Sequence, residues 1–154
     1  MEFVELDSAP NREELIEYLG TIEWKAGHML QAELEAGTYR ARFGQSSELW
    51  FAYDGASDGD KALVGFGGIV EQDYNPVPEF DLWIASIYVA PDYRGRHLSQ
   101  EILAFLEGRV RERGAAEVHI YTQHKGLYEK SGYQLVRDDI DIMGRDTHIY
   151  VKRF

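Results

Sequence analysis

The apolar and polar positions of the chain alternate in two rhythms, and the changes between them mark the elements. "FVEL" (residues 3–6) reads as a short strand. Asn11 stands where an N-cap belongs, before a helix running to about Leu19 with Glu13 and Glu14 in its first turn, where the helix dipole favours anions. A second helix is expected from Glu23 to Ala36, stopped by Gly37. "ELWFAYDG" (48–55) and "ALVGFGGIVEQD" (62–73) read as strands of a hairpin, joined by the polar turn "DGASDGD". "YNPVPEF" (74–80) carries two prolines and reads as a loop. "DLWIASIYVA" (81–90) is apolar on both faces, the pattern of a strand covered on both sides.

The rhythm then switches. Leu98, Ile102, Leu106 and Val110 recur every fourth residue and Leu103 widens the stripe, which predicts an amphipathic helix from Ser99 to Arg113 closed by Gly114. Its last turn carries the arginines of "RVRERG", where cations suit the dipole. "EVHIYT" (117–122) is a further strand, so strand–helix–strand predicts a right-handed parallel crossover. "KGLYEKSGY" (125–133) predicts a short helix stopped at Gly132, and "YQLVRDDIDIM" with "DTHIYVKRF" an antiparallel hairpin around Gly144. The expected architecture is a mixed α/β sheet, antiparallel in its N-terminal strands and parallel at its centre, in one domain spanning residues 1–154.

Composition narrows the chemistry. There is no cysteine, which excludes disulfides, thiolate ligands and a cysteine nucleophile. A net charge of −11 argues against nucleic acid as a partner and mildly favours cationic ones. No apolar run approaches the roughly 20 residues of a membrane span, and "MEFVELDSAP" lacks the basic start of a secretory signal, so no membrane association is expected and a cytoplasmic location is. The five histidines form neither H-x-x-x-H nor H-E-x-x-H, so no metal is expected. No G-x-S-x-G elbow occurs.

One turn stands apart in this acidic chain. "YRGRHLS" places Arg94, Arg96 and His97 around Gly95, between the carboxyl end of a buried strand and the start of a helix. Ligands of α/β sheets bind beyond strand carboxyl ends, and the first N–H groups of a helix have no partners within it, so Gly95 to Ser99 suit a phosphate or pyrophosphate. The alternative is an ordinary helix start with Ser99 as its cap and solvated arginines.

"IYVAPDYRGRHLS" resembles the pyrophosphate loop of the GNAT-type N-acetyltransferases, Arg/Gln-x-x-Gly-x-Gly/Ala after a strand ending in apolar-Val-x-Pro. Arg94 fills the first position, while His97 and Ser99 replace the two small residues. "GLYEKSGY" (126–133) is similar to the family's "FYEKxGF" segment, in the expected order downstream. The resemblance implies a GNAT-like acyl-CoA N-acyltransferase fold and transfer of acetyl from acetyl-CoA to a primary amine, by direct attack in a ternary complex. It implies that Ile87, Tyr88 and Val89 hold the pantetheine arm, that Arg94, Gly95, Arg96, His97, Leu98 and Ser99 hold the pyrophosphate, and that Tyr128 protonates the departing sulfur. The strand 81–90 must then splay from 117–122, as a β-bulge would allow.

For the base that deprotonates the substrate ammonium the candidates are Asp81 and Glu79, with Glu71 as a third. His124 precedes the Tyr128 segment and is a candidate for the amine site. "EQDYNPVPEF" is expected on the acceptor side, with Tyr74, Glu79 and Phe80 receiving the amine, and "RDDID" (137–141) adds acidic attraction. A small-molecule amine is the favoured acceptor. A protein N-terminus or lysine, and a non-catalytic acyl-CoA-binding module, are the alternatives, and a homodimer is admitted.

Overall fold

Helices cover both faces of a seven-stranded sheet. The computed structural model describes every residue except 56–60, so most of the expected turn "DGASDGD" lies outside the described residues. The strands are β1 (Glu2–Glu5), β2 (Glu48–Asp54), β3 (Ala62–Val70), β4 (Trp83–Val89), β5 (Glu117–Thr122), β6 (Gln134–Ile140) and β7 (Asp146–Arg153). Their order is β1-β2-β3-β4-β5-β7-β6, antiparallel throughout except for the parallel β4–β5 pair. The hairpins and the crossover follow the sequence pattern. The placing of β7 between β5 and β6 does not, because a hairpin can dock through either of its strands.

The helices are α1 (Arg12–Thr21), α2 (Lys25–Ala36), α3 (Tyr39–Phe43) and α4 (Leu98–Glu112). Asn11 precedes α1 as expected, yet its side chain makes no capping bond. Gly37 ends α2 at φ 73°, its N–H donating to the Glu33 and Leu34 carbonyls. The short α3 has no signal in the hydrophobic rhythm; buried Tyr39 and Phe43 hold it to the core, and Arg42 donates to the Tyr74 carbonyl. Instead of an α-helix, the "YEKS" segment (Tyr128–Ser131) is a single 3₁₀ turn stopped by Gly132 at φ 91°.

Leu15, Leu19, Leu30 and Phe43 pack with Phe51, Phe66 and Trp83 on one face of the sheet. On the other, Leu98, Ile102, Leu106 and Val110 pack with Val64, Ile84 and Val118. The predicted stripe of α4 is thus its buried face. A Cβ on Gly67 would stand 2.8 Å from Leu106 Cδ1, so the bare backbone there lets α4 press onto β3. Arg109 and Arg113, read as dipole partners, also donate to the Glu48 carboxylate and clamp the end of α4 to β2. Among the described residues no helix is long and apolar enough to cross a membrane.

Candidate active site

Strand β4 carries the geometry on which the site depends. Tyr88 lies opposite Phe66 and Ala85 opposite Gly68, so Ser86 and Ile87 together face Gly67. This is a β-bulge, and Ser86 takes a left-handed φ of 59° to make it. The extra residue reverses the strand's alternation. Trp83 and Ala85 belong to the α1/α2 face before the bulge, whereas Ile87 and Val89 pack towards α4 after it.

Strand β5 meets β4 in register only at Trp83–His119, beside a bond from the His119 N–H to the Leu82 carbonyl. Beyond that rung the two strands part. The Ala90 N–H donates to the Val64 carbonyl at 2.8 Å, so alternation turns the backbone groups of Val89 and Ile87 away from β3 and into the gap. The Val89 carbonyl there accepts from Arg94 Nε at 2.9 Å.

The gap opens into a cleft of about 590 Å³ lined by Ile87 to Val89, by Arg94, Gly95, His97, Leu98 and Ser99, and by Glu23, Trp24 and His124. Helix α4 begins at Leu98, and its N-cap is His97 at φ 59°, not Ser99. Histidine therefore takes the left-handed conformation at the motif's glycine position, at the conformational cost expected of a side-chain-bearing residue. Among the described residues, the N–H groups of Gly95 to Ser99 find no hydrogen-bond partner in the protein. A row of free donors at the positive end of a 15-residue helix is an anion cradle.

Glu23 reaches into this cradle from before α2. It accepts from Arg94 Nη2 at 2.8 Å and from the Tyr88 hydroxyl at 2.7 Å. The Tyr88 bond, more than the arginine, holds its carboxyl below the usual carboxylate range. Trp24 stacks on Tyr88 at 5.6 Å between centroids and closes that wall. Arg96 is turned the other way, 3.6 Å from Asp54 and over the Tyr93 ring, and does not line the cleft.

A second cleft, of about 430 Å³, adjoins the first and shares Trp24 and His124 with it. Its walls come from α2, from residues 73–75 after β3, from Ser86 at the bulge, from the end of β5, and from the β6–β7 turn. Tyr74 is there, as the loop's composition suggests, but Glu79 and Phe80 are not. Phe80 stacks on His119 at 3.8 Å, and Glu79 accepts two bonds from Arg137, which keep its carboxyl low. Asp81 is exposed two residues before β4 and lines neither cleft. Glu71 is bound to Ser46 through the backbone N–H and hydroxyl. None of these three carboxylates lines either cleft.

The carboxylates that do stand in the second cleft are Asp73 and Asp141. Asp141 is consumed by its own turn, accepting from Met143 N, Arg145 N and Arg145 Nε. Among the described residues Asp73 accepts only from Tyr74 N, at 2.7 Å. Burial raises its pKa to about 6, against the opposing pull of the Tyr74 N–H and Arg42. Asp73 was not singled out from sequence; its one available signal was its place beside Tyr74 in the loop already assigned to the acceptor side.

Tyr128 lies outside both linings, half-buried, its ring against Tyr133 and Tyr150. Burial raises its pKa, so the phenol holds its proton, and its hydroxyl makes no side-chain bond among the described residues.

The chain is similar to known proteins in sequence profile and in fold. The sequence profile described as the Acetyltransferase (GNAT) family matches residues 12–133. No curated protein sequence matches the chain. Among solved structures, aminoglycoside 6′-acetyltransferase type Ii superposes with a TM-score of 0.70 at 19% identity, over 99% of this chain and 97% of that one. An aminoglycoside 6′-N-acetyltransferase complexed with coenzyme A gives 0.69 at 18% identity, again over 99% and 97%. A Bacillus subtilis acetyltransferase in complex with CoA gives 0.65 at 16% identity, over 99% and 98%. At these identities the likeness is one of fold.

Proposed function

The chain belongs to the GNAT family of acetyltransferases, and from that premise we propose that it moves acetyl from acetyl-CoA to a primary amine of a small molecule. The observation that carries the proposal is the opening between β4 and β5, which leads directly into the unpartnered N–H groups of Gly95 to Ser99. In the CoA complexes of the fold neighbours the same kind of carrier is bound.

In this reading Gly95, His97, Leu98 and Ser99 receive the pyrophosphate through backbone N–H groups, with Arg94 beside them, while the Arg96 side chain, turned to Asp54, takes no part. The backbone of Ile87 to Val89 pairs with the pantetheine amides as a missing strand would. That registration brings the thioester to the bulge at Ser86–Ile87, where a freed N–H stabilises the developing oxyanion. A preorganised donor of that kind is worth about 3–4 kcal/mol where it has been measured. The amine enters from the second cleft and attacks directly. As the C–S bond breaks, Tyr128 supplies the proton that the sulfur gains.

The test begins with binding. Acetyl-CoA at 100 times its dissociation constant should stabilise the fold by about 2.7 kcal/mol. CoA release should then depend on added amine, and initial-rate plots should intersect, as for a ternary complex. No stabilisation by acetyl-CoA, or parallel plots, would overturn the proposal.

A further inference from the structure

We propose that Asp73 is the catalytic carboxylate of the second cleft, receiving the substrate ammonium and removing its proton, and that the cleft selects amines bearing one positive charge on an apolar body. The inference rests on the transferase reading above and deepens it.

The cleft contains two carboxylates and one of them is spent, since all of the bonding of Asp141 closes the 141–145 turn. Asp73 retains an oxygen with no partner among the described residues, in a cleft that also holds Ser86 of the bulge. Every other charge facing the cleft is positive or neutralised. Lys25 lines it from α2, and Arg145 is paired with Asp141. Arg42 of α3 lies behind Tyr74, donating to its carbonyl at 2.7 Å. Tyr121 and His124 complete the titratable groups on the β5 side. A polycation needs several carboxylates to replace its lost hydration, and here it would meet one carboxylate and a lysine.

The rest of the lining suits an apolar body. Trp24, Tyr74 and Tyr121 present aromatic surface, which also attracts cations. Ile142 and Met143 on the turn remain 68% and 63% exposed, an apolar rim left in water that an acceptor would cover.

The proton balance is complete. Asp73 takes one proton from the ammonium, and the free amine attacks the thioester carbon. As the C–S bond breaks, Tyr128 protonates the sulfur, which leaves as the thiol, and the second proton lost by the nitrogen of the tetrahedral adduct restores the phenol. Asp73 then returns its proton to water.

The experiment compares phenethylamine with kanamycin, a polycationic aminoglycoside, as acceptors for the wild type and for Asp73→Asn and Asp73→Ala. The asparagine can still accept from the Tyr74 N–H, and melting temperatures verify that both variants fold. The wild type should favour phenethylamine by about ten-fold or more in kcat/KM, and its kcat should fall as pH drops below about 6, where Asp73 becomes protonated. Asp73→Asn should lower kcat about 100-fold and abolish that acid limb, with acetyl-CoA affinity unchanged. Formate should partly restore Asp73→Ala. An unchanged pH profile in Asp73→Asn overturns the base assignment alone. Preference for kanamycin, or acetyl-CoA binding with transfer to neither amine, overturns the acceptor class. Failure of the wild type to bind acetyl-CoA overturns the transferase reading, and this inference with it.

Discussion

The two clefts meet at Trp24 and His124 but are built in opposite ways. The first takes its floor and cradle from one run of chain, Ile87 to Ser99, with Glu23, Trp24 and His124 added as walls. The second draws on α2, the loop after β3, the bulge, the end of β5 and the β6–β7 turn. Their electrostatics are opposed as well. Unpartnered N–H donors face the first cleft, with Arg94 bound to Glu23, whereas Asp73 faces the second with one oxygen unpartnered among the described residues. An adjacent anion cradle and cation seat suit a reaction that joins an anionic carrier to a cationic acceptor. Binding chemistry that repeats across a family can be held in one short segment, while the part that varies is dispersed over loops.

If the clefts work as separate binding sites joined at one reacting centre, substitutions should divide cleanly between them. The largest effect is expected at the centre. Tyr128→Phe should lower kcat about 100-fold while leaving acetyl-CoA affinity, amine preference and melting temperature in place, as steady-state rates with calorimetry can read. Equal turnover would remove the phenol from the mechanism.

Arg94→Ala should act on the first cleft only, weakening acetyl-CoA about ten-fold with the amine KM unchanged, since a charge-assisted bond to phosphate is lost. A comparable rise in amine KM would show that the clefts are not independent. Glu23→Gln should act with the opposite sign. It frees Arg94 from a competing carboxylate, and acetyl-CoA should bind more tightly by at most about five-fold, because exposed ion pairs are weak. Weaker binding would mean that Glu23 orients Arg94 and does not compete for it.

The smallest effect concerns the rung that closes the β4–β5 opening. Burial between Phe80 and Trp83 lowers the pKa of His119 from its ordinary 6.5. The unfolded chain therefore takes up that proton first, and the stability present above pH 6.5 is lost as pH falls through the lower folded value. Asp73 opposes this trend, because its raised value makes the fold gain stability as pH falls through about 6. The readout is thus the difference in melting temperature between the wild type and His119→Gln, which should narrow from pH 8 to pH 5.5. A constant difference would contradict the assignment.

Much of the first cleft was legible because its determinants are local. The apolar run 81–90, the stripe from Leu98 to Val110 and the cationic turn between them specify strand, helix and cradle without reference to distant chain. Even there the strand's phase was hidden. Residues 83–89 are covered on both faces, so reversing the alternation at Ser86 leaves no mark in the hydrophobic pattern. The helix start was read one residue late, because nothing local announces that His97 will take a positive φ.

The second cleft was not legible for a stronger reason. Glu79 and Asp81 share the loop-to-strand region with Asp73, and all three are equally acidic as letters. Only the fold turns Glu79 to Arg137, leaves Asp81 in water and sets Asp73 in the cleft. The sequence by itself determined the family, most of the elements and the cationic turn before α4, because periodicity and helix-end electrostatics act over a few neighbouring residues. The tertiary structure alone decided the β7–β6 order, the bulge, and which carboxylates line the second cleft, because each depends on which of several similar surfaces pack together.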